Sequence, residues 1–130
     1  MKKQDKMEVT YLGSSRNYPL ESTPPVYMVA SYRIDENSTS LKWNENRTWG
    51  WLPTLEHARK AVKMNSGDMH ETTFNYVIIE KVPAGICVLN EIVEVYKWQP
   101  DKTDKNNFRG KWVKCKKPKC FENVLNLTIG

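Results

Sequence analysis

One segment of this chain, "LEHARKAVKMN" at residues 55–65, carries its apolar residues at helical spacing, while most other apolar stretches read as strand. Leu55, Ala58, Ala61, Val62 and Asn65 fall on one stripe of a 3.6-residue repeat, and the apolar four leave a single face to bury. Thr54 is placed to cap the start, Glu56 suits the positive first turn, and Gly67 suits the exit. A lone amphipathic helix has no second helix to lie against. It needs a sheet.

The strands are legible from composition and punctuation. "VYMVASYRI", residues 26–34, is β-branched and aromatic, bounded by Pro25 and by "DENSTS". Alternation puts Tyr27, Val29 and Ser31 on one face and Val26, Met28, Ala30 and Tyr32 on the other. Both faces are mostly apolar, which places this strand inside its sheet. "TFNYVIIEKV", 73–82, is a second strand, stopped by "PAG". "ICVLNEIVEVYKW", 86–98, is a third extended stretch with a break near Asn90. "GKWVKCKKP", 110–118, returns as its hairpin partner across the polar loop "QPDKTDKNNF". Consecutive late strands predict an α+β fold: a mainly antiparallel sheet with one principal helix packed on a face. Residues 1–25 read as an N-terminal arm or linker holding one short strand candidate, "MEVTYL". Residues 26–130 read as a single α+β domain, and the apolar tail "CFENVLNLTIG" is expected to pack back on it.

With 39% hydrophobic and 27% charged residues in 130, the composition is that of an ordinary globular domain. No run approaches the roughly 18 apolar residues of a membrane helix, so no membrane partner is expected. The opening "MKKQDKMEVTYLG" lacks the apolar stretch of a secretory leader, so a cytoplasmic location is the expectation. Three cysteines, an odd count, argue against a disulfide framework. Cys115 and Cys120 in "CKKPKC" make half a zinc site with no neighbouring histidine. Neither a metal nor another cofactor is expected.

The formal net charge of +5 is uneven. From Lys97 to Lys119 there are nine Lys or Arg against Asp101 and Asp104, a local balance of +7 that leaves about −2 for the rest. Such a patch either attracts an anionic partner or keeps an exposed hairpin soluble.

Catalytic motifs are sparse: there is no nucleophile elbow, no phosphate-binding glycine loop and no His-x-x-x-His. "SGDMHE" gathers Asp68, His70 and Glu71, which is either an acid–base cluster or a polar turn. The stronger signal is "WNENRTWGW", 43–51, with three of the five tryptophans inside a long connection, 35–54. In extended backbone Arg47, Trp49 and Trp51 share a side, and Gly50 allows close approach. Arginine grips phosphate, asparagine reads base edges, and tryptophan stacks on bases. The same tryptophans could equally be plugs fixing the connection to the core.

With "YRIDENSTSLKWNENRTWGW" and the closing "NLTIG" in view, residues 26–98 and the tail resemble small uncharacterised proteins of phages and gut bacteria. Proteins of that size and setting resemble the phage anti-defence sponges, which sequester cyclic nucleotide or cyclic ADP-ribose signals of host immunity. The resemblance implies a non-enzymatic binder, often a homo-oligomer, working in the host cytoplasm, with aromatic and arginine residues around the ligand. It carries over no site residue.

The expected function is therefore binding of a small phosphorylated nucleotide without chemistry. Trp43, Asn44, Arg47 and Trp49 are the expected ligand contacts, with Arg33 at the end of the first strand as a nearby cation. Arg109 in the basic hairpin loop is a second phosphate candidate. Two other classes stay open: an inhibitor that anchors its aromatics on a host enzyme, and a weak nucleic-acid binder using residues 97–119.

Overall fold

The structure, a computed structural model, describes residues 18–35, 46–86, 88–105 and 109–119. "MEVTYL", the apolar tail, Trp43 and Asn44 lie outside them. In chain order the elements are β1 (Tyr18–Pro19), β2 (Val26–Tyr32), β3 (Asn46–Leu52), α1 (Leu55–Lys63), β4 (Tyr76–Val82), β5 (Gly85–Ile86), β6 (Glu91–Pro100) and β7 (Gly110–Cys115). Five strands form one sheet in the order β3-β2-β4-β6-β7, with every neighbouring pair antiparallel. β1 and β5 make a separate two-residue pair. The fold is α+β, with a mainly antiparallel sheet and one helix packed on it. Among the described residues, no helix is long and apolar enough to cross a membrane.

The strand order explains the path of the helix. β3 and β4 both pair antiparallel with β2, so they run in the same direction. The chain leaves β3 at one end of the sheet and must enter β4 at the other. α1 makes that crossing over one face. Its exit therefore delivers residues 64–75 to the end where β2 and β6 finish and β3, β4 and β7 begin.

Alternation along the strands sorts two cores. Val29, Val77, Ile79, Trp98 and Trp112 point toward α1 and bury Ala58, Val62 and Met69 with them. Ala30, Tyr32, Ile34, Tyr76, Ile78 and Val95 form the cluster on the opposite face, with Cys115 packed against it. β4 is the middle strand, and its Val77, Ile78 and Ile79 are fully buried.

Thr54 caps α1 as expected: its Oγ1 accepts the His57 N–H at 3.1 Å. The helix ends at Lys63, two residues short of the expected stripe, because Asn65 takes φ 49° and leaves the helical path. Asn tolerates that left-handed conformation better than most residues.

The larger correction concerns the tryptophan stretch. From Asn46 onward it is not loop but edge strand β3. Gly50 lies opposite Val29 and Thr48 opposite Ala30, so Trp49 has no cross-strand partner and forms a bulge. The extra residue shifts the alternation. Trp49 turns into the helix-side cluster, whereas Trp51 pairs with Met28 and so belongs to the opposite face. The expectation that both rings share a side fails for this reason. Gly50 holds φ 155°, a conformation that side-chain-bearing residues rarely adopt.

On the helix side of β6 lies a buried carboxylate, Glu94, whose side chain is 4% exposed. Arg59 donates to it from Nε at 2.9 and 3.1 Å and from Nη2 at 2.8 Å. Lys114 Nζ stands 3.1 Å away, and the Tyr96 hydroxyl donates at 2.7 Å. The Arg59 hydrogen bonds, opposed by burial, hold the Glu94 carboxyl at about 2 against an ordinary 4.5. The folded value is depressed, so the stabilisation is complete above pH 4.5 and is lost as pH falls toward 2. Urea midpoints measured from pH 6 down to pH 2.5 should fall most steeply below pH 4.5. In Glu94→Gln that acid-dependent fall should be markedly shallower.

Candidate functional site

Residues 64–75 cross beneath the strand ends, and the backbone there is unusual. Asn65, Asp68 and Thr73 are the non-glycine residues with positive φ among those described, and all three lie in this connection, as does Gly67 at φ 71°. Such conformations gather where surrounding contacts over-determine the backbone, often at functional sites. The contacts are on hand. Asn65 Nδ2 donates to Asp68 Oδ1 at 3.2 Å, and Asn65 Oδ1 accepts the Trp112 Nε1–H at 3.0 Å. The Glu71 N–H reaches the Asp68 carbonyl at 2.8 Å, opening a single 3₁₀ turn, Glu71–Thr73. Asn75 then joins three strands. Its side chain bonds both the N–H and the carbonyl of Ile34 at 2.8 Å, and its backbone bonds Tyr32 and Trp98.

Three of the expected ligand residues converge on this connection. Arg33 Nη2 donates to Thr73 Oγ1 at 2.8 Å, and Arg47 Nη1 meets Glu71 Oε2 at 3.2 Å. The Arg47 guanidinium lies 4.2 Å over the Trp49 ring. Trp49 in turn donates from Nε1 to Ser31 Oγ at 2.5 Å, and its six-membered ring edge lies against Gly67. Arg47 and Glu71 are both about half exposed, 53% and 46%. Beside Trp49 is an open cleft of about 300 Å³, whose walls include Val29, Gly50, Ala61, Gly67 and Met69. Its lining is mainly apolar; Arg47 does not line it but stacks on Trp49, which does.

Next to this cleft, His70 stacks on Trp98 at 4.1 Å between ring centroids, and Trp112 closes the group edge-on at 5.0 Å from Trp98. Burial against these rings lowers the His70 pKa below its ordinary value, while Asp68 pulls it the other way. Trp98 Nε1 is buried with no hydrogen-bond partner among the described residues. Sequence reasoning missed this cluster. Both tryptophans sit in expected strands, but only the register, Trp98 opposite Trp112, brings them together.

The acid–base reading of "SGDMHE" finds little geometry in its favour. Asp68 bonds Asn65, His70 stacks on Trp98, and Glu71 pairs with Arg47. Among the described residues no group of three His, Cys, Asp or Glu stands close enough to hold a metal.

Arg109 does not join the cleft. It precedes β7 at the other edge of the sheet, four strand spacings from β3, about 19 Å at 4.8 Å each. A separate concavity of about 530 Å³ holds it together with Lys102 and Lys111.

No family model, curated protein or solved structure matches this chain. The site is therefore read from its chemistry alone.

Gly67 is where that chemistry is most exposed to a single methyl group. A Cβ there would stand 3.2 Å from the Trp49 ring, on a backbone at φ 71°. Gly67→Ala should destabilise by about 1–3 kcal/mol through backbone strain. It should also change the near-ultraviolet dichroism of the tryptophans, which an effect confined to the unfolded chain would not do.

Proposed function

We propose that the protein binds a small phosphorylated nucleotide in the cleft beside Trp49 and sequesters it without chemistry, the role of a signal sponge. The observation that carries this reading is the half-exposed Arg47 guanidinium stacked on Trp49 at the side of an apolar cleft. A base and its sugar suit the cleft, and the phosphate suits Arg47, with Arg33 bonded to the same turn as a second cation. At about 300 Å³ the cleft lies at the small end of ligand sites, which favours a mononucleotide, cyclic or open, over a dinucleotide. Turnover needs a base, a nucleophile and charge stabilisation aimed at one point. The separate engagements of Asp68, His70 and Glu71 favour a binder.

In this reading Glu71 competes with the ligand phosphate for Arg47. An exposed ion pair is worth at most about 1 kcal/mol, so a phosphate can displace it. Calorimetric titration against a panel of open and 3′,5′-cyclic mononucleotides should therefore show opposite effects. Arg47→Ala should weaken binding by about 30-fold or more, roughly 2 kcal/mol, with stability within about 1 kcal/mol of wild type. Glu71→Gln should tighten binding severalfold. Wild-type affinity in Arg47→Ala would remove Arg47 from the site. Conversion of excess nucleotide to a new product, lost in His70→Ala, would make the protein an enzyme.

One observation favours a second reading. Trp51, on the face away from the helix, is 62% exposed, as an anchor for a protein partner would be. Capture of one host protein by wild type and not by Trp51→Ala would support an inhibitor.

A further inference from the structure

All nine cations between Lys97 and Lys119 are exposed. The two carboxylates among them hydrogen-bond within the loop that joins β6 to β7, although Asp101 stays exposed. Asp101 accepts from the Thr103 N–H at 2.9 Å and from Thr103 Oγ1 at 2.8 Å, and Asp104 accepts the Arg109 N–H at 2.7 Å. The Asp101 N–H closes the loop on the Arg109 carbonyl at 2.8 Å. Folding of the loop thus ties both carboxylates to loop donors, while all nine cations face solvent.

The hairpin register divides what remains. Trp112 and Lys114 turn toward the helix side, where Lys114 is offset by Glu94. Lys111 and Val113 lie with Lys97 and Gln99 on the opposite face. Two concavities follow one another along the hairpin. One, about 530 Å³, is walled by Lys102, Arg109 and Lys111 against a single carboxylate, Asp101. The other, about 340 Å³, is walled by Lys97, Val113 and Cys115. Gln99 and Pro100 line both, so they form one trough. Along β7 it runs about 20 Å, too long for a single nucleotide.

We propose that this trough binds single-stranded nucleic acid. Its cations match a phosphate backbone, and the apolar wall at its other end offers contact to bases that a duplex would keep stacked inside. Among the described residues Gln99 is the one side-chain amide lining it, so the contacts are tolerant of sequence. The trough shares no residue with the cleft beside Trp49, and binding here does not depend on the nucleotide reading.

The test is fluorescence anisotropy of a labelled 15-nucleotide oligo(dT) with the full chain. Binding is expected at 50 mM salt. With three or four phosphate contacts, a rise to 200 mM should weaken it roughly 20- to 50-fold, given a slope of about 0.7 per contact. The triple variant Lys102→Gln, Arg109→Gln, Lys111→Gln should lose at least about tenfold in affinity while its melting temperature holds, since all three side chains are exposed. Absence of binding at 50 mM salt, or unchanged binding by a folded triple variant, overturns the proposal. So does displacement of the oligonucleotide by polyglutamate at equal charge, which would make the trough a site for acidic chains in general.

Discussion

The Asn75 side chain holds the Ile34 N–H and carbonyl at the same time, and the end of the sheet depends on that pair of bonds. A backbone pairing would do the same work in a longer strand. Here a carboxamide extends the β2–β4 ladder past its last paired residue, while the Asn75 carbonyl takes the Trp98 N–H from β6. Three strands are thus fixed at the point where the chain arrives from α1. The preceding turn can then hold residues at positive φ, because both of its ends are anchored: one to the helix, one to the middle strand. Arg33 and Arg47 reach that turn from two different strands and bond to it. The candidate site is a consequence of topology. A helix that must carry the chain from β3 to β4 across β2 leaves its exit turn under the ends of all five strands.

Two ion pairs of the same chemical type play different parts because their burial differs. Glu94, 4% exposed, is held by a two-pronged arginine, a lysine and a phenol. Removing its partners would strand a buried charge, so the group is structural. Glu71, 46% exposed, has one contact of 3.2 Å to an arginine that is 53% exposed. Water already competes for both members, and a dianionic phosphate competes better. In the proposed binding role the pair would hold Arg47 over Trp49 until a phosphate exchanged for Glu71.

Patterns carried by single segments were legible in the sequence. The amphipathic stripe announced α1, Thr54 announced its cap, and the β-branched runs announced β2 and β4. The hairpin of β6 and β7 followed from two strand-like runs about a polar loop. Features that depend on register between segments were not legible. The bulge at Trp49 is invisible without knowing that Gly50 faces Val29, and it reverses the side taken by Trp51. The stack of His70 on Trp98 joins residues 28 apart through a fold that neither one encodes locally. Nothing in the stretch 86–98 sets Glu94 apart as a buried acid. Its burial depends on Arg59, one helix away. Of the expected ligand residues, Arg47 stacks on Trp49 and Arg33 bonds the same connection through Thr73, whereas Arg109 lies at the other edge.

Trp49 shows why the two readings of the tryptophan stretch, plug or platform, are not rivals. Its indole N–H is tied to Ser31, its ring edge lies on Gly67, and its apolar body belongs to the helix-side cluster. Those contacts make it a plug. They also fix the ring plane, and with it the position of Arg47 above the ring. An arginine on a mobile aromatic would lose conformational entropy on gripping an anion, and that loss would subtract from affinity. An arginine already stacked on a ring held on three sides has less to lose. The bulge supplies the necessary geometry: one extra residue turns Trp49 inward while leaving Arg47 at the solvent edge, and Gly50 supplies the backbone freedom for the bulge. In the proposed reading, a structural tryptophan is thus what would make Arg47 a ready binding group.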